Sequence, residues 1–107
     1  MQTQYEVADS CLIIKVPREL DHHCADIMRG EVELLIHIHR VRNVVFDFEA
    51  TEFMDSSGIG VLIGRSRNLG FCNGMVYAKN LNARVKKIFQ ASGLYKIIYV
   101  IPEEATL

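Results

Sequence analysis

Val44-Val45-Phe46-Asp47-Phe48, then Phe53-Met54-Asp55-Ser56-Ser57-Gly58-Ile59-Gly60-Val61-Leu62-Ile63-Gly64-Arg65, is the stretch that decides the fold. The first run is almost continuously apolar and rich in β-branched and aromatic residues, which predicts a central strand covered on both faces. After Phe53-Met54 the period changes. Ile59, Leu62, Ile63, Ser66 and Leu69 recur at helical spacing and predict a helix that ends near Gly70. A buried strand that leads into an amphipathic helix is the building unit of an α/β sheet.

The same alternation extends to both sides. Upstream, Tyr5-Glu6-Val7-Ala8 and Leu12-Ile13-Ile14-Lys15-Val16 read as strands parted by Asp9-Ser10, a turn signal for an antiparallel hairpin. From Asp21 to about Ile38, Cys24, Ile27, Met28, Leu34, Leu35 and Ile38 recur on one helical face, with Asp21 as the cap and Val32 adding to the stripe. Downstream, Met75-Val76-Tyr77-Ala78 gives a strand, and Met28 and Met75 read as packing residues. Asn82 caps a helix whose Val85, Ile88 and Phe89 face inward, with Gly93 at the left-handed end position. Ile97-Ile98-Tyr99-Val100-Ile101 is the last strand, closed by Pro102. The sheet is therefore expected to be parallel apart from its first hairpin.

Composition narrows the function classes. A chain of 107 residues with 50% hydrophobic content supports one domain and one core, expected to span 1–107. No apolar run reaches the roughly 20 residues a membrane helix needs, and the start carries no signal-like stretch, which predicts a cytoplasmic protein with no membrane partner. Cys11, Cys24 and Cys72 have no Cys-x-x-Cys spacing and are expected to be reduced, partly buried thiols. Residues 1–55 hold 11 acids and 5 bases, against 2 and 7 in residues 56–107. Arg65, Arg67, Arg84, Lys86 and Lys87 are not interleaved with aromatics, so they read as solvated helix faces and not as a nucleic-acid platform. His22-His23-Cys24 and His37-x-His39 resemble metal ligands, but neighbours one or two apart on a helix do not face each other, so no metal is expected.

Met54-Asp55-Ser56-Ser57-Gly58-Ile59-Gly60 falls where a strand connection meets a helix, whose first backbone N–H groups have no partner. Local chemistry leaves several readings open there. One serine serves as the N-cap, with the glycines permitting a tight entry. A dinucleotide loop would need its third glycine one place earlier and an acid about 20 residues on. A serine hydrolase would pair Ser56 with His22 or His23, but the Gly-x-Ser-x-Gly elbow is missing and Asp55 would oppose an oxyanion. Reversible phosphorylation would add roughly 1.5–2 negative charges at an end of a helix that tolerates anions.

Three ordered blocks discriminate among these: Glu19-Leu20-Asp21-His22-His23, the run from Phe53 to Arg65, and Val85-Lys86-Lys87-Ile88-Phe89-Gln90-Ala91-Ser92-Gly93-Leu94-Tyr95-Lys96-Ile97-Ile98. Over almost its whole length the chain resembles the STAS family, in its branch of sporulation anti-sigma factor antagonists. The resemblance implies a single STAS-like domain with a mixed, mostly parallel sheet of four to five strands and packed helices. It also implies that Ser56 is phosphorylated by a partner anti-sigma factor that is a serine kinase. The unmodified chain would bind that factor and free the sigma factor, and a serine phosphatase would reset Ser56. The chain would then be substrate and ligand, with no catalytic residue and no cofactor.

Asp21, Asp55, Ser57, Gly60, Val61 and Gly64 are the expected partner contacts, with Val61 and Gly64 exposed because they fall away from the Ile59, Leu62, Ile63 face. Two features depart from the family pattern. Pro17-Arg18 stands where a glycine is common, which implies a stiffer or more basic loop, and the chain stops at Leu107, leaving little room for a final helix. A STAS module of another pathway, such as general stress signalling, remains the nearest alternative.

Overall fold

The computed structural model describes residues 3–71 and 74–102, the side chains of 68–71 excepted. The expectations for Leu69, Cys72 and the end of the chain lie outside the described residues. In chain order the elements are β1 (Gln4–Ala8), β2 (Cys11–Lys15), β3 (Glu19–Leu20), α1 (His22–His39), β4 (Asn43–Asp47), β5 (Phe53–Met54), α2 (Ser56–Phe71), β6 (Val76–Lys79), α3 (Ala83–Ser92), a 3₁₀ turn at Leu94–Lys96 and β7 (Tyr99–Val100). Five strands form one sheet in the order β1-β2-β4-β6-β7, and only the β1–β2 pair is antiparallel. The mixed, mostly parallel sheet is therefore as expected.

Local chemistry explains most of these elements. Asp9 and Ser10 both take positive φ, +50° and +64°, as the tightest hairpin turn requires of its two central residues. Asp21 caps α1 by accepting from the Cys24 N–H at 2.9 Å, and Asn82 caps α3 through the Val85 N–H at the same distance. Gly93, at φ +76°, ends α3 with its N–H donating to the Phe89 carbonyl.

Each crossover β2–α1–β4, β4–α2–β6 and β6–α3–β7 steps in the same direction along the sheet. Right-handed connections then place all three helices on one face. In register, Leu12–Val44–Val76 and Ile14–Phe46–Ala78 run across that face and are buried in the core. Ile13–Val45–Tyr77–Tyr99 run across the other face and lie outside the core cluster. The central strand is thus covered by helices on one face only, contrary to the two-sided cover its composition predicts. Val45 is buried there by its cross-strand neighbours, Ile13 and Tyr77.

Helix phase departs from the periodicity reading in both long helices. In α1 the inward residues are Ala25, Met28 and Val32, with Cys24, Leu35 and Ile36 partly buried, whereas Ile27, Leu34 and Ile38 are more than half exposed. Small Ala25 is fully buried although its side chain contributes little to a hydrophobicity count. The last strand is also shorter than expected. Of the expected Ile97–Ile101 only Tyr99–Val100 is strand, because the N–H groups of Ile97 and Ile98 donate back to the Leu94 carbonyl at the end of the 3₁₀ turn; Ile97 and Tyr99 are exposed. Met75 precedes β6 and is half exposed, so it is not a core packing residue.

Away from the main sheet, β3 and β5 pair in parallel, Glu19 opposite Phe53 and Leu20 opposite Met54. Buried Thr51 ties their approach segments together by donating from Oγ1 to the carbonyls of Val16 and Pro17. This short pair positions the site, because each of its strands leads directly into a helix.

Candidate functional site

Since β3 and β5 are parallel neighbours, α1 and α2 start side by side and run in the same direction. Two cross-links fix the alignment. Near the start, His22 Nδ1 lies 3.0 Å from Ser57 Oγ, and farther along, Arg65 donates to Glu33 Oε1 at 2.8 Å. The positive ends of two helix dipoles are therefore presented together, with Asp21 at one and Asp55 at the other.

Asp55 is the residue that caps α2. Its Oδ1 accepts from the Ser57 N–H at 2.9 Å and the Gly58 N–H at 3.4 Å, and its carbonyl accepts the first helical bond, from Ile59. The capping role that local chemistry offered to a serine thus belongs to the aspartate before it. Ser56 is the first helical residue and is exposed. Among the described residues, no hydrogen bond engages its hydroxyl.

Asp55→Ala should lower stability by about 1 kcal/mol, the usual worth of a cap. For a domain of this size that is a fall in midpoint of roughly 4–8 °C. Asp55→Asn keeps the acceptor and should lose only a few tenths of a kcal/mol. Thermal unfolding of both variants checks this, and equal losses would assign the effect to charge instead of capping.

The structure does not bring all the expected contact residues to the surface. Asp21 and Gly60 are exposed, and Asp55, Ser57 and Gly64 are half-buried. Val61 is only 2% exposed and belongs to the core, so its expected surface position is corrected. The inner face of α2 is Gly58, Val61, Leu62 and Arg65, with Ile59 and Ile63 on its flank. Periodicity missed this phase because it treated Gly58 as punctuation and Arg65 as a solvated charge. Arg65 is 5% exposed, its stem lying in the helix interface and its guanidinium held by Glu33.

The hydrolase reading paired a histidine with Ser56, but His22 meets Ser57 instead, with Asp26 Oδ2 3.5 Å from its Nε2. That set resembles a nucleophile, base and carboxylate. However, the adjacent N–H groups of Ser57 and Gly58, which would have to stabilise an oxyanion, already donate to the Asp55 carboxylate. His23 turns toward an open cleft beside Asp21, which Arg18 and Glu31 also line. The extra base in the Pro17-Arg18 loop is paired, Arg18 Nε lying 2.7 Å from Glu52 Oε2. Burial pushes the thiols of Cys11 and Cys24 above their ordinary values, as expected of packing cysteines.

Sequence reasoning missed two features of the site. Phe53 is 51% exposed although it sits in β5, two residues before Asp55. Its signal was a large aromatic directly ahead of the polar turn. The His22–Ser57 contact had no local signal, because 35 residues separate the partners.

Comparisons with known proteins give the family and the fold. The model of the STAS domain matches residues 2–107. An anti-sigma F factor antagonist of Paenibacillus polymyxa is 31% identical over 104 residues, covering 97% of this chain and 89% of that protein. The unphosphorylated form of the anti-sigma factor antagonist SpoIIAA superposes with a TM-score of 0.84 at 34% identity, covering 95% of this chain and 90% of that one. The phosphorylated form of the Bacillus cell fate determinant SpoIIAA gives 0.76 at 34% identity, covering 95% and 93%. Among the described residues, no helix is long and apolar enough to cross a membrane. The chain belongs to the STAS domain family, as an anti-sigma factor antagonist of the SpoIIAA type.

Proposed function

We propose that this chain, while Ser56 is unmodified, binds a kinase-type anti-sigma factor through the paired starts of α1 and α2 and thereby releases a sigma factor. The bound factor transfers phosphate to Ser56, which ends the association, and a serine phosphatase restores the hydroxyl. The kinship to SpoIIAA supports a role in sporulation over general stress signalling, and the cycle runs in the cytoplasm. The chain itself acts as ligand and substrate, needing no cofactor and contacting neither nucleic acid nor membrane.

The observation that carries this reading is that Ser56 is exposed and has no structural duty, since Asp55 already caps α2. Modifying it removes no bond from the fold. Asp21, Asp55, Ser57, Gly60 and Gly64 serve as the contact residues, and exposed Phe53 adds an apolar anchor of the kind that dominates interfaces. Val61 supports this surface from beneath.

Incubation with ATP and a purified kinase-type anti-sigma factor, followed by mass-spectrometric mapping, tests the assignment. Phosphate should appear on Ser56 and be absent from Ser56→Ala. Modification elsewhere, or none, would overturn it.

A further inference from the structure

Ser56 and Ser57 are adjacent hydroxyls at the start of one helix, yet the structure treats them differently. Ser57 is held at two points. Its N–H donates to Asp55 Oδ1 at 2.9 Å, and its hydroxyl lies 3.0 Å from His22 Nδ1. The carboxylate of Asp26, 3.5 Å from His22 Nε2, favours the ring proton on that nitrogen, which leaves Nδ1 to accept from the Ser57 hydroxyl. Nothing comparable restrains Ser56.

We propose that His22 is a specificity-determining residue of the phosphorylation cycle, confining modification to Ser56 by holding the Ser57 hydroxyl toward α1. This rests on the reading of Ser56 as the phosphorylated residue. In the transfer, a serine Oγ bonds to the γ-phosphorus of a nucleoside triphosphate held by the kinase. The bond to the departing diphosphate breaks, and the hydroxyl proton passes to a base of the kinase.

The transition state is loose and draws little on nucleophile strength, so positioning decides the rate. An imidazole beside Ser57 could in principle raise its nucleophilicity. A reaction governed by in-line placement gains little from that, and it loses much when the hydroxyl points toward a neighbouring helix instead of the phosphorus.

The test uses the full chain with ATP and a purified kinase-type anti-sigma factor, reading modification of Ser57 by mass spectrometry in a Ser56→Ala background. That chain should be barely modified. Adding His22→Ala should raise Ser57 phosphorylation about fivefold or more, the factor corresponding to loss of one net hydrogen bond. Adding His22→Asn, whose side-chain oxygen stands in for Nδ1, should return it to the low level. A merely structural role for His22 would not give that rescue.

No rise with His22→Ala would overturn the proposal in favour of burial alone, and a fall would overturn it by making His22 an activating base. The parent chain reports on the function separately, through phosphate on Ser56. Nitrogen NMR of the His22 ring tests the restraint without any kinase. It should show the Nε2–H form, with an Nδ1 resonance that moves in Ser57→Ala, and a resonance indifferent to that substitution would overturn the restraint itself.

Discussion

Phosphorylated at Ser56, the chain should bind a kinase-type anti-sigma factor at least about 100-fold more weakly than the unmodified chain, a difference of roughly 2.7 kcal/mol. Its thermal midpoint should nevertheless move by no more than about 3 °C. The two expectations share a cause. In the free protein the phosphate sits at the positive end of α2, where the dipole contributes about 0.3–1 kcal/mol in its favour. Asp55, one residue away, opposes it. Unit charges about 6 Å apart repel by roughly 1–3 kcal/mol across the range from water to a protein surface, and water keeps the free protein near the lower figure.

A docked partner removes that water. The same repulsion then rises toward the higher figure, and the dianion must also be desolvated. The penalty therefore falls on the complex and leaves the fold almost untouched. Titration calorimetry and thermal unfolding of both forms check this. Equal affinities would sink the electrostatic switch, whereas a large drop in midpoint would replace it with a conformational one. Because the repulsion acts inside an interface from which water is excluded, raising the salt concentration should recover little of the lost affinity.

Gly58→Val should destabilise the protein by about 3 kcal/mol or more, against a total stability of roughly 5–15 kcal/mol for domains of this kind. A Cβ at Gly58 would stand 2.5 Å from Met54 Cγ and 2.7 Å from Leu20 Cδ2. Leu20 and Met54 are the buried, paired residues of β3 and β5, so the first turn of α2 rests directly on that pair. Both side chains are packed in the core, so making room for a Cβ displaces other core residues.

Gly58→Ala should cost less, about 1–2 kcal/mol, because overpacking is partly offset by the helix preference of alanine over glycine. Gly60 is the internal control. A Cβ there meets nothing within 4 Å, so Gly60→Ala should be neutral or stabilising by up to about 1 kcal/mol. Urea unfolding of the three variants gives the ranking. If Gly58→Ala behaved like Gly60→Ala, the first turn of α2 would not be closely packed.

How far this molecule could be read before its fold was seen depended on the range of the interaction involved. The hairpin at Asp9-Ser10, the caps Asp21 and Asn82 and the end of α3 at Gly93 were legible because each is decided within four or five residues. The order of strands and helices followed from hydrophobic period, which is also local. Ser56 was found through resemblance, while local chemistry alone left it as a candidate cap.

What period could not supply was phase. Ile27, Leu34 and Ile38 looked inward and are exposed, whereas Val61 and Arg65 looked outward and are buried. A stripe of apolar residues shows that a helix has a buried side, but its rotation is set by what lies opposite. Here the absent side-chain bulk at Gly58 lets α2 settle onto the β3–β5 pair, and small Ala25 is buried on the inner side of α1.

An α/β chain with a mostly parallel sheet and a polar, glycine-bearing helix start at Asp55-Ser56-Ser57 could be read from neighbours along the chain, since local interactions set them. That Asp55 and not Ser56 is the cap, that Val61 lies in the core, and that His22 reaches Ser57 emerged with the folded molecule. The last joins groups 35 residues apart, the second depends on which side of α2 meets the rest of the core, and the first on which of several adjacent acceptors the folded turn aims at the free amides.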